Sequence, residues 1–319
     1  MPALLQQTRG AVRVGVCVPT FKRPYLLRQL LEGLAVLTFH RAPQPEIVVI
    51  VVDNDAERSA EEVCRSVAVP WEMKYVAEPR RGIAQARNRA VRAAADADFI
   101  AFIDDDEIPA PGWLDELLST QAAYAADVVC GPVVPRYAAG VPEWVKTGGF
   151  FDRPIPAAGE TPDVCRTGNV LIRGGVFAYV EPFDERFGLT GGEDTEFFFR
   201  VRAAGFAIVS SDSAVVHEVV PPSRANLPWV LRRAYQSGNS WVLCESSRDG
   251  RLSTRIIRAG KACGRIAQGA LFACVSPLFG WAAFARALKN LCLGAGMLAA
   301  LAGQKYQAYQ SAGANPAQS

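Results

Sequence analysis

Apolar positions along this chain follow two spacings. Apolar runs of strand length occupy residues 12–18, where Arg13 is the one polar position, and, unbroken, 47–52 and Phe99–Ile103. Runs without polar alternation suit strands covered on both faces, as in a parallel sheet between helical layers. Between them, Leu26, Leu27, Leu30, Leu31 and Leu34 recur at three and four and predict an amphipathic helix to about Leu37, with Pro24 placed to open it. Residues 60–67 and 83–95 read as further helices, residues 73–76 as a short strand, and Pro111-Gly112 opens a helix through Leu118. This alternation predicts right-handed βαβ crossovers and a mostly parallel sheet in an α/β fold.

Beyond Val134 the pattern loosens into Pro- and Gly-rich stretches, and long loops on such a scaffold commonly carry binding surfaces. Strand character returns at residues 167–172, 206–209 and 214–216, with His217 following the last. Thr190 and Glu193 fit a capping box at the start of a helix. From Trp229 the character changes. Arg251, Arg255, Arg258, Lys261 and Arg265 form a basic helical face, and residues 266–285 then run without a charge, interrupted by Ser276-Pro277. Twenty such residues are enough to span a bilayer, although Pro277 and nearby glycines equally suit a re-entrant or in-plane helix. A helical subdomain buried on the rest of the protein is the alternative.

Composition changes this picture little. The 319 residues are half apolar, and the net charge of +2 gives no argument for nucleic acid. The eight cysteines are scattered without a Cys-x-x-Cys pair and are expected to be reduced core residues in a cytosolic setting. The first ten residues hold no signal-peptide core.

The candidate chemistry sits at strand ends. The run Phe99–Ile103 stops at Asp104-Asp105-Asp106-Glu107. Carboxylates this close repel one another, so they suit a hard cation, Mg2+ or Mn2+, holding a substrate's phosphates at the carboxyl end of a strand. A solvated acidic turn is the competing explanation. Asp53 closes the second strand, where it could accept from a nucleoside or form an Asx-turn. Arg80, Arg81, Arg87 and Arg89 offer phosphate-binding forks or a solvated basic face. Asp194, at a helix start beside Gly191-Gly192, could deprotonate an acceptor hydroxyl. His217 could complete a metal site or bind phosphate.

Taken in order, Val18-Pro19-Thr20-Phe21-Lys22-Arg23-Pro24, Val52-Asp53-Asn54-Asp55, Gly82 with Ala86-Arg87-Asn88, the acidic quartet and Gly191-Gly192-Glu193-Asp194 resemble the inverting family 2 glycosyltransferases of the GT-A fold. The resemblance covers residues 12–245. Within the family, Asp53-Asn54-Asp55-Ala56-Glu57, Gly192-Glu193-Asp194-Thr195 and His217-Glu218-Val219-Val220-Pro221 resemble bacterial succinoglycan-type glucosyltransferases, which extend lipid-linked exopolysaccharide units. The resemblance implies that Pro19, Thr20, Phe21, Arg23, Asp53, Asn54, Gly82, Arg87, Asp104 and Asp105 contact the nucleotide sugar. It further implies that Asp106, with Asp104, holds Mg2+ or Mn2+, and that Asp194, with Glu193 beside it, is the catalytic base; His217, from its place at a strand end, is the additional candidate metal ligand. Relatives often carry Asp-Asp where this chain has Asp53-Asn54, which leaves open the residue that reads the base. Leu231-Arg232-Arg233-Ala234-Tyr235 does not match the Gln/Arg-x-x-Arg-Trp signature of processive synthases, implying single-sugar addition.

The expected organisation is a tail over 1–11, a GT-A catalytic domain over 12–228, a helical membrane-associating region over 229–306 and a disordered tail over 307–319. The catalytic domain divides into a nucleotide-binding half, 12–134, and an acceptor half, 135–228. The expected partners are a nucleoside-diphosphate sugar (UDP-glucose favoured), a lipid-linked glycan acceptor and the cytoplasmic face of the bacterial inner membrane, with no nucleic acid. The rival readings are a nucleotidyltransferase, for which no Gly-rich phosphate loop follows the first strand, and a catalytically silent nucleotide-sugar scaffold.

Overall fold

A computed structural model describes residues 11–249 and 251–309. The first apolar runs become β1 (Arg13–Thr20), β2 (Glu46–Asp53) and β3 (Glu72–Ala77), with α1 (Pro24–Ala35) and α2 (Glu61–Ser66) between them. Then follow α3 (Ile83–Ala93), β4 (Phe99–Ile103), β5 (Glu107–Pro109), α4 (Trp113–Tyr124), β6 (Val128–Cys130), β7 (Val133–Tyr137) and α5 (Glu143–Thr147). The chain continues through β8 (Asn169–Arg173), α6 (Glu193–Ala203), β9 (Ile208–Ser210) and β10 (Val216–Val220). It closes with α7 (Leu227–Arg248), α8 (Leu252–Val275) and α9 (Trp281–Leu301).

The main sheet has the order β3-β2-β1-β4-β8-β6-β9, and β8 alone runs against its neighbours. β1 lies between β2 and β4, which is why residues 14–18 are fully apolar and buried on both faces. One layer of core packs α1 and α4 on the sheet, and the other packs α3 and α6. Parallel strands direct their carboxyl ends to one edge, so Thr20, Asp53 and the acidic quartet converge there.

Three expectations are corrected. A second sheet, β5-β10-β7, was not foreseen, and it places His217 inside β10 rather than after a strand. Cys130 and Cys165 form a disulfide, while Cys263 and Cys274 are exposed, so the cysteines are not uniformly reduced core residues. The charge-free run 266–285 breaks at the expected Ser276-Pro277, where a 3-10 turn at Ser276–Leu278 divides it between α8 and α9. Among the described residues the helix long and apolar enough to cross a membrane is Trp281–Leu301, and it carries Arg286 and Lys289. The tail expected from residue 307 is in part docked, because the Tyr309 amide donates to the Leu189 carbonyl at 3.0 Å. Residues 310–319 and 1–10, where tails were expected, lie outside the described residues.

Candidate active site

The loop after β1 and the acidic turn after β4 face each other. Thr20 Oγ1 donates to Asp105 at 2.7 Å, and Arg23 donates to Asp105 at 3.1 Å and to Asp106 at 3.5 Å. From β10's far end, Arg224 donates to Asp106 at 3.0 Å and also pairs with Glu218. Burial, opposed by Arg23 and reinforced by Asp106, raises Asp105 to about 6. Burial also pushes Asp104 and Glu107 up, and the neighbouring carboxylates add to both. Asp104, Asp105 and Glu107 are thus crowded, buried carboxylates that Arg23 and Arg87 offset only in part, which fits a cation ligand set. Among the described residues no group of three or more His, Cys, Asp or Glu side chains converges in metal-holding geometry. Mg2+ and Mn2+ take one or two carboxylates and draw their remaining ligands from phosphates and water.

Arg87 joins this turn to the start of α6. Buried on α3, it donates to Asp104 at 3.1 Å and pairs with Glu193. Burial raises Glu193 to about 7 against the pull of Arg87. Asp194, half-buried beside it, spends Oδ1 on the amide (2.6 Å) and hydroxyl (3.2 Å) of Thr195, with no hydrogen bond to Oδ2 among the described residues. The capping box does not form: Gly192 at φ 96° is the cap residue, and the Thr190 hydroxyl donates to the Phe187 and Gly191 carbonyls. Gly192 is required there, since a Cβ would also meet Cys244 Sγ at 2.7 Å. Ser240 and Cys244 of α7 donate to the Thr190 and Gly192 carbonyls, so the appended helix fixes the loop that presents Asp194.

Other expected residues are placed differently. Asp53 is buried and accepts from the Asp55 and Ala60 amides (3.1 and 2.8 Å) and the Tyr75 hydroxyl (3.0 Å), an Asx-turn with further partners. Asn54 donates to the Glu78 and Arg80 carbonyls, both at 2.8 Å, and accepts from Gly82 N at 2.8 Å, stapling the turn before α3. The side chain left over is Asp55: its Oδ2 is buried with no hydrogen-bond partner among the described residues. Phe21 stands nearby with the Arg81 guanidinium stacked 3.0 Å from its ring. Pro19 lies buried in β1 opposite Val52. His217 pairs with Ile108, which packs on α1, while Glu218 faces Arg153 and Arg224. Strand alternation thus turns His217 away from the acidic turn, contrary to the expected metal role.

Arg153, Arg224 and Tyr309 were missed. Arg224 follows the last quoted motif by three positions, the one signal available. Tyr309 lies against Gly191, its carbonyl accepts from Arg81 at 3.1 Å, and burial beside Glu193 raises its phenol to about 12.

Comparison with known proteins adds to this geometry. The family model described as glycosyl transferase family 2 matches residues 15–180. The succinoglycan biosynthesis protein ExoM of Rhizobium meliloti is 36% identical over 269 residues, covering 82% of this chain and 84% of that protein. Among solved structures, the Pyrobaculum calidifontis mannosyltransferase PcManGT, in complex with GDP-Man and Mn2+, superposes with a TM-score of 0.61 at 19% identity, over 93% of this chain and 89% of that one. The S. aureus protein TarS (residues 1–349), in complex with UDP, gives 0.51 at 17% identity over 93% of each chain. At such identities the two structures establish the fold they share with this chain.

Proposed function

This chain belongs to glycosyl transferase family 2, and we propose that it transfers one hexose, with inversion, from a nucleoside-diphosphate sugar to a lipid-linked acceptor during exopolysaccharide synthesis. The observation that carries the reading is Arg87, which binds Asp104 and Glu193 together and so puts the acidic turn and the Asp194 helix start in one cleft. Asp55, whose Oδ1 lies 3.7 Å from Lys22 and whose buried Oδ2 is unpaired among the described residues, is the acceptor for a nucleobase N–H in place of the occupied Asp53 and Asn54. Asp106, with Asp104, would hold Mg2+ or Mn2+, which when bound offsets charge on a departing nucleoside diphosphate. Arg23, Arg87 and Arg224 surround the same charge. Asp194 Oδ2 takes the proton as the acceptor hydroxyl attacks the anomeric carbon from the opposite face.

Support for a glucosyl donor and for exopolysaccharide comes from the likeness to the succinoglycan protein. Support for a membrane surface comes from the tip of the α8–α9 hairpin, where Leu271, Phe272, Leu278, Phe279 and Trp281 are exposed and basic residues of α8 lie behind them. The cytoplasmic leaflet, with its anionic lipid, is the face this charge suits. The test is a panel of nucleotide sugars with Mg2+ or Mn2+ and a lipid-linked saccharide, with the product's anomeric configuration read by NMR. One donor, UDP-glucose, should be consumed with inversion; a retained configuration or no transfer from any donor contradicts the reading.

A further inference from the structure

Beside the acidic turn lies a cavity of about 460 Å³, enclosed by the acceptor-half loops, α7 and α9. Five cations line it (Arg153, Arg166, Arg224, Arg233 and Lys289) against the carboxylates of Asp152, Asp163 and Glu218. Glu218 is already engaged by Arg153 at 2.7 Å and by Arg224. Neither Arg166 nor Lys289 forms a hydrogen bond or salt bridge among the described residues; Lys289 rests 5.7 Å from the Phe150 ring. Ser210 Oγ, on a residue 2% exposed, also lines the cavity without a partner. Folding gains nothing from cations gathered this way, because like charges repel and buried polar atoms left unpaired cost free energy. An anion bound among them reverses both penalties.

The geometry points to this cavity as the binding site for the diphosphate of a prenyl-diphosphate-linked acceptor, an inference that rests on the function proposed above. Three features favour a lipid-borne phosphate over a free one. Aromatic side chains, Phe150, Phe151 and Trp229, line the same cavity as the cations. Trp144 connects Phe150 to Trp281 through edge contacts at 5.3 and 6.5 Å, so the cavity wall continues into the exposed apolar hairpin tip. Arg166 also feels the charge of Asp194, so the cavity opens on the side of the site that holds the proposed base. Burial and the neighbouring Arg153 and Arg233 weaken the hold of Arg166 on its proton, as expected of a cation that lacks a counter-ion.

The test is calorimetric titration of the full chain in detergent, with EDTA present to keep diphosphate from binding through a divalent ion. The probes are farnesyl diphosphate, farnesol and inorganic diphosphate. Farnesyl diphosphate should bind tightest, and Arg166→Ala and Lys289→Ala should each weaken it about 10-fold, the loss expected for one charge-assisted contact. Unchanged affinity in both variants, or farnesol binding equally well, overturns the proposal. Inorganic diphosphate binding as tightly as farnesyl diphosphate overturns its lipid part. UDP titrated with Mg2+ on the same preparation keeps the two readings apart. Loss of UDP binding by the unaltered protein counts against the proposed function, whereas intact UDP binding without these differences sinks the acceptor site alone.

Discussion

Arg224 donates to Asp106 at 3.0 Å, joining the loop that follows β10 to the turn that follows β4. Asp106 therefore already has a cationic partner on each side, since Arg23 approaches from the β1 loop. Asp106→Asn should abolish the enhancement of nucleotide binding by divalent cations while leaving metal-free binding intact, because the arginines remain to face the phosphates. Titration of UDP with and without Mn2+ measures this; an enhancement kept in the variant contradicts the assignment.

The side-chain amide of Asn54, at the end of β2, ties down the turn between β3 and α3. Replacing Asn54 with Ala leaves the Gly82 N–H and the Glu78 and Arg80 carbonyls without their partner. Each buried group left unpaired costs about 1–3 kcal/mol. Denaturant unfolding should show a loss in or above that range; an unchanged midpoint would mean the staple contributes nothing to stability.

Gly192→Ala tests the coupling of the appended helix to the base. The residue sits at φ 96° against Cys244, and the left-handed backbone alone costs a side chain about 1–3 kcal/mol. The variant should lose turnover by more than it loses UDP affinity, because the displaced residue next along is Glu193, then Asp194. Equal losses in both would place the effect in global stability.

Glu193 gives stability a pH dependence of definite sign. Its carboxyl is raised from about 4.3 in the unfolded chain to about 7 by burial, against the attraction of Arg87. The folded state then binds more protons than the unfolded state between those values, so this contribution is present below about 4.3 and is lost as pH rises through about 7. Unfolding free energy measured from pH 5 to 8 should fall more steeply for the unaltered protein than for Glu193→Gln. Parallel profiles would contradict the shift.

The parallel half of the fold was legible because its strands are buried on both faces and its first helix repeats at three and four. Residues 47–52 and 99–103 each gave a strand within a residue or so. The second sheet was not legible: β5 and β7 each contain a proline and are short, and β10, Val-His-Glu-Val-Val, shows neither an unbroken apolar run nor a regular polar–apolar alternation across its five residues. The acidic turn and the Asp194 helix start stood out through charge density and paired glycines. Arg153, Arg166 and Lys289 did not, because an isolated basic residue in a loop or helix carries no periodic signal, and the cavity that unites them is assembled from segments far apart in the sequence. Asp53 misled for a related reason. A strand-end aspartate looks the same in sequence whether its oxygens face a nucleoside or its own backbone, and here three donors from the protein occupy them.

The most direct test of the account is Asp194→Asn, assayed by single turnover alongside donor titration. The substitution keeps the shape of the side chain and its bond to Thr195 while removing its capacity to take a proton. The account predicts that the transfer rate falls about 10²–10⁴-fold with the donor dissociation constant unchanged. A variant that transfers sugar at a near-normal rate would show that the proton leaves by another route and that Asp194 is not the base.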